Sequence, residues 1–302
     1  AEGHPTPAAI GFARSQGIPV GALETTEDPG GRRYVVAVVR EAGRPAGDVL
    51  PQALVRAAGA LTFSKTMRWG VGEVRFARPI RWIVALLGAR VLPVEIAGVR
   101  AGRTTFGHRT LHPGAVRLTR PARYVDELRR AGVVVEPQAR RALITEQARR
   151  LAASAGGTAV LDPALVEELV MSVEHPHALL GAFDPRYLAL PREVLITVMQ
   201  HHQKYVAVED GSRRLLPVFV AVRDGSARQL ATVRQGHEWV LEARLADARF
   251  FFEEDRVLRL EEYVPRLDRL TFLTQLGTVG EKTRRLLALA RGLADVLRLD
   301  GA

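Results

Sequence analysis

Cysteine is missing from all 302 residues, which removes disulfides, thiolate metal sites and cysteine nucleophiles together and fits a cytoplasmic protein. Lysine is almost missing: only Lys65, Lys204 and Lys282 occur, so all but three of the 43 basic side chains are arginine. So lopsided a ratio reflects a GC-rich gene more than a function. The net charge of +10 and the pI of about 10.8 survive that correction and point to a polyanionic partner. No stretch approaches the roughly 18 apolar residues of a membrane-spanning helix. The longest candidate, Ile80 to Leu87, is short and broken by Arg81, so no membrane association is expected. The opening Ala1-Glu2-Gly3-His4-Pro5 has neither an initiator Met nor the charged lead and apolar core of a secretory signal. The chain is expected to be a fragment or a processed product.

Familiar chemical motifs are missing as well. There is no Gly-x-x-x-x-Gly-Lys-[Ser/Thr] loop, no dinucleotide glycine fingerprint and no His-Glu-x-x-His. No adjacent His-Asp pair occurs, and no serine lies in a nucleophile-elbow context. These absences exclude the common ATP-binding, redox and hydrolytic signatures. They leave a chain expected to hold no catalytic residue, no metal and no cofactor of its own.

What is present is a globular composition, 47% hydrophobic, with length enough for a large core. Gly and Pro punctuate it at Asp28-Pro29-Gly30-Gly31, Gly43-Arg44-Pro45, His112-Pro113-Gly114, Gly156-Gly157 and Asp210-Gly211-Ser212. Between these breaks, Tyr34–Val39 reads as a strand, and 81–87 with 91–96 as a hairpin turning at Gly88-Ala89. Helices are expected over Ala122–Ala131, Pro137–Ala155 and Pro163–Val173, the last with Asp162 as N-cap and Pro163 in the first position. Another starts at Pro191 and runs to about Gln203. Lys204–Val208 and Leu215–Val222 pair around Asp210-Gly211. Long helices close the chain, from about Val233 to Glu254 and from Glu281 to Leu299. The reading is α+β, with mixed or antiparallel sheets and packed helices, ending in an all-helical segment. The modules are 1–135, 136–226 and 227–302.

Three constellations carry possible chemistry. Phe63-Ser64-Lys65-Thr66-Met67-Arg68-Trp69-Gly70 leads into Arg75-Phe76-Ala77-Arg78-Pro79-Ile80-Arg81-Trp82, and Arg103, His108 and Arg109 follow. Cations interleaved with aromatic rings offer phosphate contacts and stacking surfaces at once. The plainer alternative packs Trp82 and Phe76 in a sheet core with the arginines in water. In Gln200-His201-His202-Gln203-Lys204-Tyr205, His202 falls on the helical stripe of Leu195, Val198 and Met199 and reads as a hydrogen-bonded core residue. His201 and Lys204 point elsewhere, toward a possible phosphate. A metal site of His201, His202, His175 and His177 has no carboxylate at a ligand spacing to complete it and is not expected. On the last-but-one helix, Val240, Leu241, Leu245, Ala248, Phe251 and Phe252 form one apolar arc. Arg244 lies inside that arc and Asp247 at its edge, which reads as a partly buried structural ion pair.

Taken in order, several blocks resemble the beta subunit of bacterial heterotetrameric glycyl-tRNA synthetase: Ala8–Gln16 (AAIGFARSQ), Lys65–Ala85 (KTMRWGVGEVRFARPIRWIVA), Gly102–Arg109 (GRTTFGHR), Pro191–Tyr205 (PREVLITVMQHHQKY), Phe219–Gly225 (FVAVRDG), Val233–Asp255, Leu276–Val279 and Lys282-Thr283. The likeness runs end to end. His237 departs from the family's usual Asn, Val206 from its usual aromatic, and His201 adds a second histidine before the His-Gln pair. The resemblance implies an internal piece lacking both ends, related in fold to the editing-type region of phenylalanyl-tRNA synthetase beta chains. It implies tRNA(Gly) and an alpha subunit as partners in an α2β2 heterotetramer. ATP and Mg2+ would be used by that alpha subunit, and no catalytic residue carries over. Lys65, Arg68, Arg78, Arg81, Arg103, Arg109 and Lys204 are the expected RNA contacts. The rival readings are a scaffold docking the alpha subunit through Trp69, Trp82 and Trp239, and a deacylating hydrolase.

Overall fold

The computed structural model describes residues 4–39, 43–70 and 72–298. The chain divides into two compact units, Ala1–Arg103 and Thr104–Ala302. It is α+β, as the segment pattern predicts.

The first unit opens with helix α1 (Pro7–Ser15), started by Thr6, whose hydroxyl accepts from the Ala9 amide at 3.2 Å. Strands β1 (Leu23–Glu27) and β2 (Arg33–Ala37) form an antiparallel hairpin. Its turn is shaped by Asp28, which accepts from the Gly30 and Arg32 amides at 2.9 Å each. Those bonds, Arg32's first, hold the Asp28 carboxyl below the ordinary range. Helix α2 (Ala46–Gly59) and five short strands follow: β3 (Ile83–Val84), β4 (Leu86–Leu87), β5 (Arg90–Val91), β6 (Glu95–Ile96) and β7 (Val99–Gly102). The hairpin expected at Gly88-Ala89 exists but is only the β4–β5 pair. β3 instead runs parallel to β7, and β6 pairs with β7. Ala85, Leu92 and Val94 are the buried cluster, packed against Leu50 and Ile96.

The second unit begins with the hairpin β8 (Thr104–Phe106) and β9 (Ala115–Arg117), then α3 (Tyr124–Arg130) and α4 (Pro137–Ser154). Next come β10 (Thr158–Ala159), α5 (Pro163–Ser172), β11 (Pro176–Ala182), α6 (Arg192–Thr197), β12 (Val206–Glu209) and β13 (Leu215–Asp224). Asp162 caps α5 as expected, accepting from the Leu165 amide at 2.9 Å. The four-stranded sheet is antiparallel throughout, in the order β10-β12-β13-β11. Side chains alternate between its faces, with a register shift between Ala207 and Glu209. Ala178, Val206, Val208 and Val220 pack with Ile144, Ala148, Leu169 and Val170 from α4 and α5. Leu179, Ala207, Phe219 and Ala221 pack on the other side with Leu195 of α6 and with Leu241 and Leu245 of the long α7 (Leu230–Glu254). Each fully buried leucine is worth about 1.5–3 kcal/mol, so α7 is part of this core. Residues 104–135 likewise belong to this unit: the Val134 amide donates to Glu174 O at 2.9 Å.

The chain ends with α8 (Leu260–Tyr263), β14 (Thr271–Leu273), β15 (Gly277–Thr278) and α9 (Val279–Leu297). The closing segment is thus not purely helical, because β14 and β15 form a small hairpin. Gly277, at φ +80°, turns the chain, and Thr278 with Glu281 closes a capping box that starts α9. Leu299, the expected end of this helix, lies outside the described residues.

Candidate RNA-contact surface

Between α2 and β3, residues 61–70 and 72–82 run as an irregular ribbon. One bridge closes it, Met67 and Phe76 exchanging amide–carbonyl bonds of 2.9 and 3.2 Å. Phe63 packs edge-on against Phe76 with ring centroids 4.7 Å apart, which gives the ribbon an apolar seam. Lys65, Arg68, Arg78 and Arg81 all stand exposed on it. Arg68 pairs with Glu73 at 2.8 Å, the two side chains 52% and 88% exposed. Such a pair is worth only about 0–1 kcal/mol, so an RNA phosphate can displace it. The Arg81 guanidinium lies 6.0 Å from the centre of the Trp82 ring, and Trp82 is 42% exposed. The plainer alternative of a core Trp82 is therefore not met, while Phe76 is half-buried.

The other expected contacts divide differently. Arg103 is half-buried and donates to Ala89 O at 3.0 Å, fastening the β4–β5 turn and spending part of its fork internally. Arg109 is exposed in the second unit. Lys204, at φ +59°, bridges to Glu168 at 2.8 Å. The structure gathers Lys65, Arg68, Arg78 and Arg81 on one ribbon and leaves Arg109 and Lys204 on separate elements.

The helix from Pro191 changes character midway. After α6 the turn Val198–His202 is π-helical. A π turn takes more residues per revolution than an α turn, so His202 leaves the Leu195–Val198–Met199 stripe. It is exposed, as is His201, and not the core residue expected. Arg244 and Asp247 are both exposed too, and among the described residues no ion pair joins them. The core side of α7 is the narrower stripe of Leu241, Leu245, Ala248 and Phe252, so Arg244 faces no core that would demand a partner.

His108 is the residue whose placement sequence reasoning missed. It is 3% exposed, so it offers no surface to RNA. Its Nδ1 accepts from the Thr110 and Leu111 amides at 3.2 Å each, which places the ring proton on Nε2. Nε2 lies 3.2 Å from Asp224 Oδ1. That contact is close but not aligned as a hydrogen bond, so the pairing is a charge–dipole contact. Asp224 Oδ1 also accepts from the Glu174 and His175 amides at 2.9 and 2.7 Å. Gly107 makes the approach possible: a Cβ there would lie 2.7 Å from Ala131 Cβ and Ala131 O. One hub thereby ties the β8–β9 region to the α5–β11 turn and the end of β13. Its only sequence signals are the Gly-His pair and the aspartate ending β13.

Ligand atoms of His108, Glu174 and Asp224 lie within 4.8 Å of one another. A metal ligated through Nε2 wants a protonated Nδ1 that donates outward. Here Nδ1 faces two donors, so the trio suits a structural hub better than a metal. The expected-against cluster of His201, His202, His175 and His177 is not assembled among the described residues. His177, beside Arg223, His175 and Arg150, is held below the usual histidine range, chiefly by burial and then by Arg223.

The comparisons with known proteins agree along the whole chain. The family model for the glycyl-tRNA synthetase beta subunit matches residues 1–302. The chain is 49% identical over 299 residues to the glycine--tRNA ligase beta subunit of Moorella thermoacetica. It is 48% identical over 301 residues to that of Anaeromyxobacter dehalogenans and 46% over 299 residues to that of Desulforudis audaxviator. In each case 99% of this chain aligns with 43% of the relative, so the chain spans less than half the length of the relatives it matches. Matched without interruption by the family model and at nearly half identity by these relatives, the chain belongs to the glycyl-tRNA synthetase beta subunit family.

Proposed function

We propose that this chain is the tRNA-contacting part of a glycine--tRNA ligase beta subunit, serving the ATP-dependent attachment of glycine to tRNA(Gly). On this reading activation takes place on a separate alpha subunit, which uses ATP and Mg2+, within a cytoplasmic α2β2 heterotetramer. The observation that carries the proposal is the ribbon of residues 61–70 and 72–82, with five exposed cations (Lys65, Arg68, Arg75, Arg78 and Arg81) beside an exposed tryptophan. Cations neutralise phosphates without regard to sequence, and a flat ring stacks on any base. The test incubates the protein with total bacterial tRNA at near-physiological salt and sequences the bound fraction. Enrichment of glycine tRNAs is expected, and Arg78→Ala or Arg81→Ala should weaken binding uniformly with a shallower salt slope. No binding at all overturns it.

A scaffold reading, with the chain docking the alpha subunit, is favoured by a different observation. On α9, Leu286, Leu289 and Leu293 are 54%, 70% and 59% exposed. Copurification with the alpha subunit and no affinity for tRNA would select that reading.

A further inference from the structure

We propose that a cleft beside the first half of α7 receives an arginine side chain from a protein partner. The cleft has a volume of about 1080 Å³ and lies wholly within the second unit. Phe183, Asp184 and Pro185 line one side and Glu238, Trp239 and Glu242 the other. Trp239 is 78% exposed, the most open of the three indoles and the one beside an acidic wall.

The charge of this wall runs against that of the chain. Among the described residues one guanidinium, Arg186, pairs with these three carboxylates, and it is shared between Asp184 at 3.4 Å and Glu242 at 2.6 Å. Glu238 spends one oxygen on the Ala182 amide at 2.9 Å, and no second bond to it forms among the described residues. An RNA backbone would meet repulsion here, so the +10 net charge does not describe this site. A strand partner is disfavoured too. β11 is an edge strand, but several of its outer groups are occupied. Gln147 donates to Pro176 O at 3.2 Å and accepts from the Ala178 amide at 2.9 Å, while Glu238 takes the Ala182 amide. A cationic side chain remains, and arginine suits the cleft better than lysine. Its planar fork pairs with a carboxylate while its face stacks on the indole, and apolar Phe183 and Pro185 accommodate its neighbours. The inference is independent of the RNA reading.

The test labels the full chain with 5-fluorotryptophan, giving 19F signals for Trp69, Trp82 and Trp239, assigned with Trp239→Phe. The probes are the peptide acetyl-Leu-Arg-Leu-amide and its citrulline twin, which has the same shape without the charge. The Trp239 signal alone should move with the arginine peptide, and the citrulline peptide should bind at least about tenfold more weakly. Glu238→Gln should weaken binding severalfold. Because that change also loosens the Ala182 cap, Gln235→Glu at an exposed position provides the opposite test and should tighten binding. Equal response to citrulline, no Trp239 shift up to the peptide's solubility limit, no gain with Gln235→Glu, or a Trp239 shift with polyuridylate in place of the peptide would each overturn the proposal.

Discussion

Replacing His237 tests how α7 is keyed to the sheet. Tyr205 is 3% exposed, stacks on Phe219 at 4.5 Å and 18°, and shares a 2.8 Å hydrogen bond with His237 Nδ1. Burial pushes the Tyr205 phenol up to about 12. The hydroxyl therefore keeps its proton, and because His237 Nδ1 is its one acceptor among the described residues, the hydroxyl donates and Nδ1 accepts. His237→Leu leaves a buried hydroxyl without an acceptor, which costs about 1–3 kcal/mol. In a unit of this size that is roughly 2–12 °C in Tm. Tyr205→Phe should cost less, about 0.5–1.5 kcal/mol, because the half-buried imidazole can turn to water. The double variant should lose less than the sum. His237→Asn supplies an amide oxygen in place of Nδ1 and should cost less than Leu. The pH dependence has a definite sign. Burial first, then Arg223, holds the His237 pKa below its ordinary value. The unfolded chain therefore binds the proton first. Stability is undiminished above about pH 6.5, falls as the pH drops below it, and levels off once the folded form is protonated as well. His177 is shifted in the same direction and adds to the slope, so His237→Asn should flatten the slope only in part. Melting curves by circular dichroism between pH 5 and 8 read both effects. Strict additivity of the two losses, or an unchanged slope in His237→Asn, would refute the pairing.

Gly181→Ala should destabilise by about 1–3 kcal/mol, since its methyl would enter the space of the Phe219 ring across the strand pair; Phe219→Leu should recover part of the loss, and an unaltered melting temperature contradicts the close approach. Gln147→Ala uncovers the edge of β11 and should raise concentration-dependent aggregation, as light scattering would show. Adding Zn2+ or EDTA should leave the melting temperature within about 1 °C, because His108 offers Nε2 as a donor; a clear rise with Zn2+ falsifies the tautomer, since a ligand of the folded state must stabilise it.

Local signals in the chain foretell the helices well. Asp162 and Pro163 start α5, the Ala- and Arg-rich stretch makes α4, and the apolar arc makes α7. Each depends on neighbours within a few residues. β11 is harder to read, because both of its faces are buried and Ala178-Leu179-Leu180 carries no alternation. Pro51 inside α2 hides that helix in the same way. The π turn at Val198–His202 has no residue that announces it, yet it decides that His202 faces water. The hub around Asp224 joins positions 108, 174 and 224, a proximity only the completed sheet creates. The ribbon was legible as a cluster of types; which of its rings are exposed was not.

The placement of the cations limits how many phosphates the proposed surface can hold. Of the basic and imidazole side chains in the Gly102–Arg109 block, Arg103 fastens a turn, His108 is buried, and only Arg109 is exposed. Lys204 lies on a separate element, in the second unit. Counting basic residues therefore overstates the proposed binding surface, whose strongest part is the five exposed cations of the ribbon, Lys65, Arg68, Arg75, Arg78 and Arg81. If about five phosphates are neutralised, the logarithm of affinity should fall with the logarithm of salt at a slope of about −3.5 to −4.5. A slope near −1 would leave the ribbon out of the complex. A slope near −8 would bring in arginines beyond the ribbon, among them the exposed arginines of the second unit.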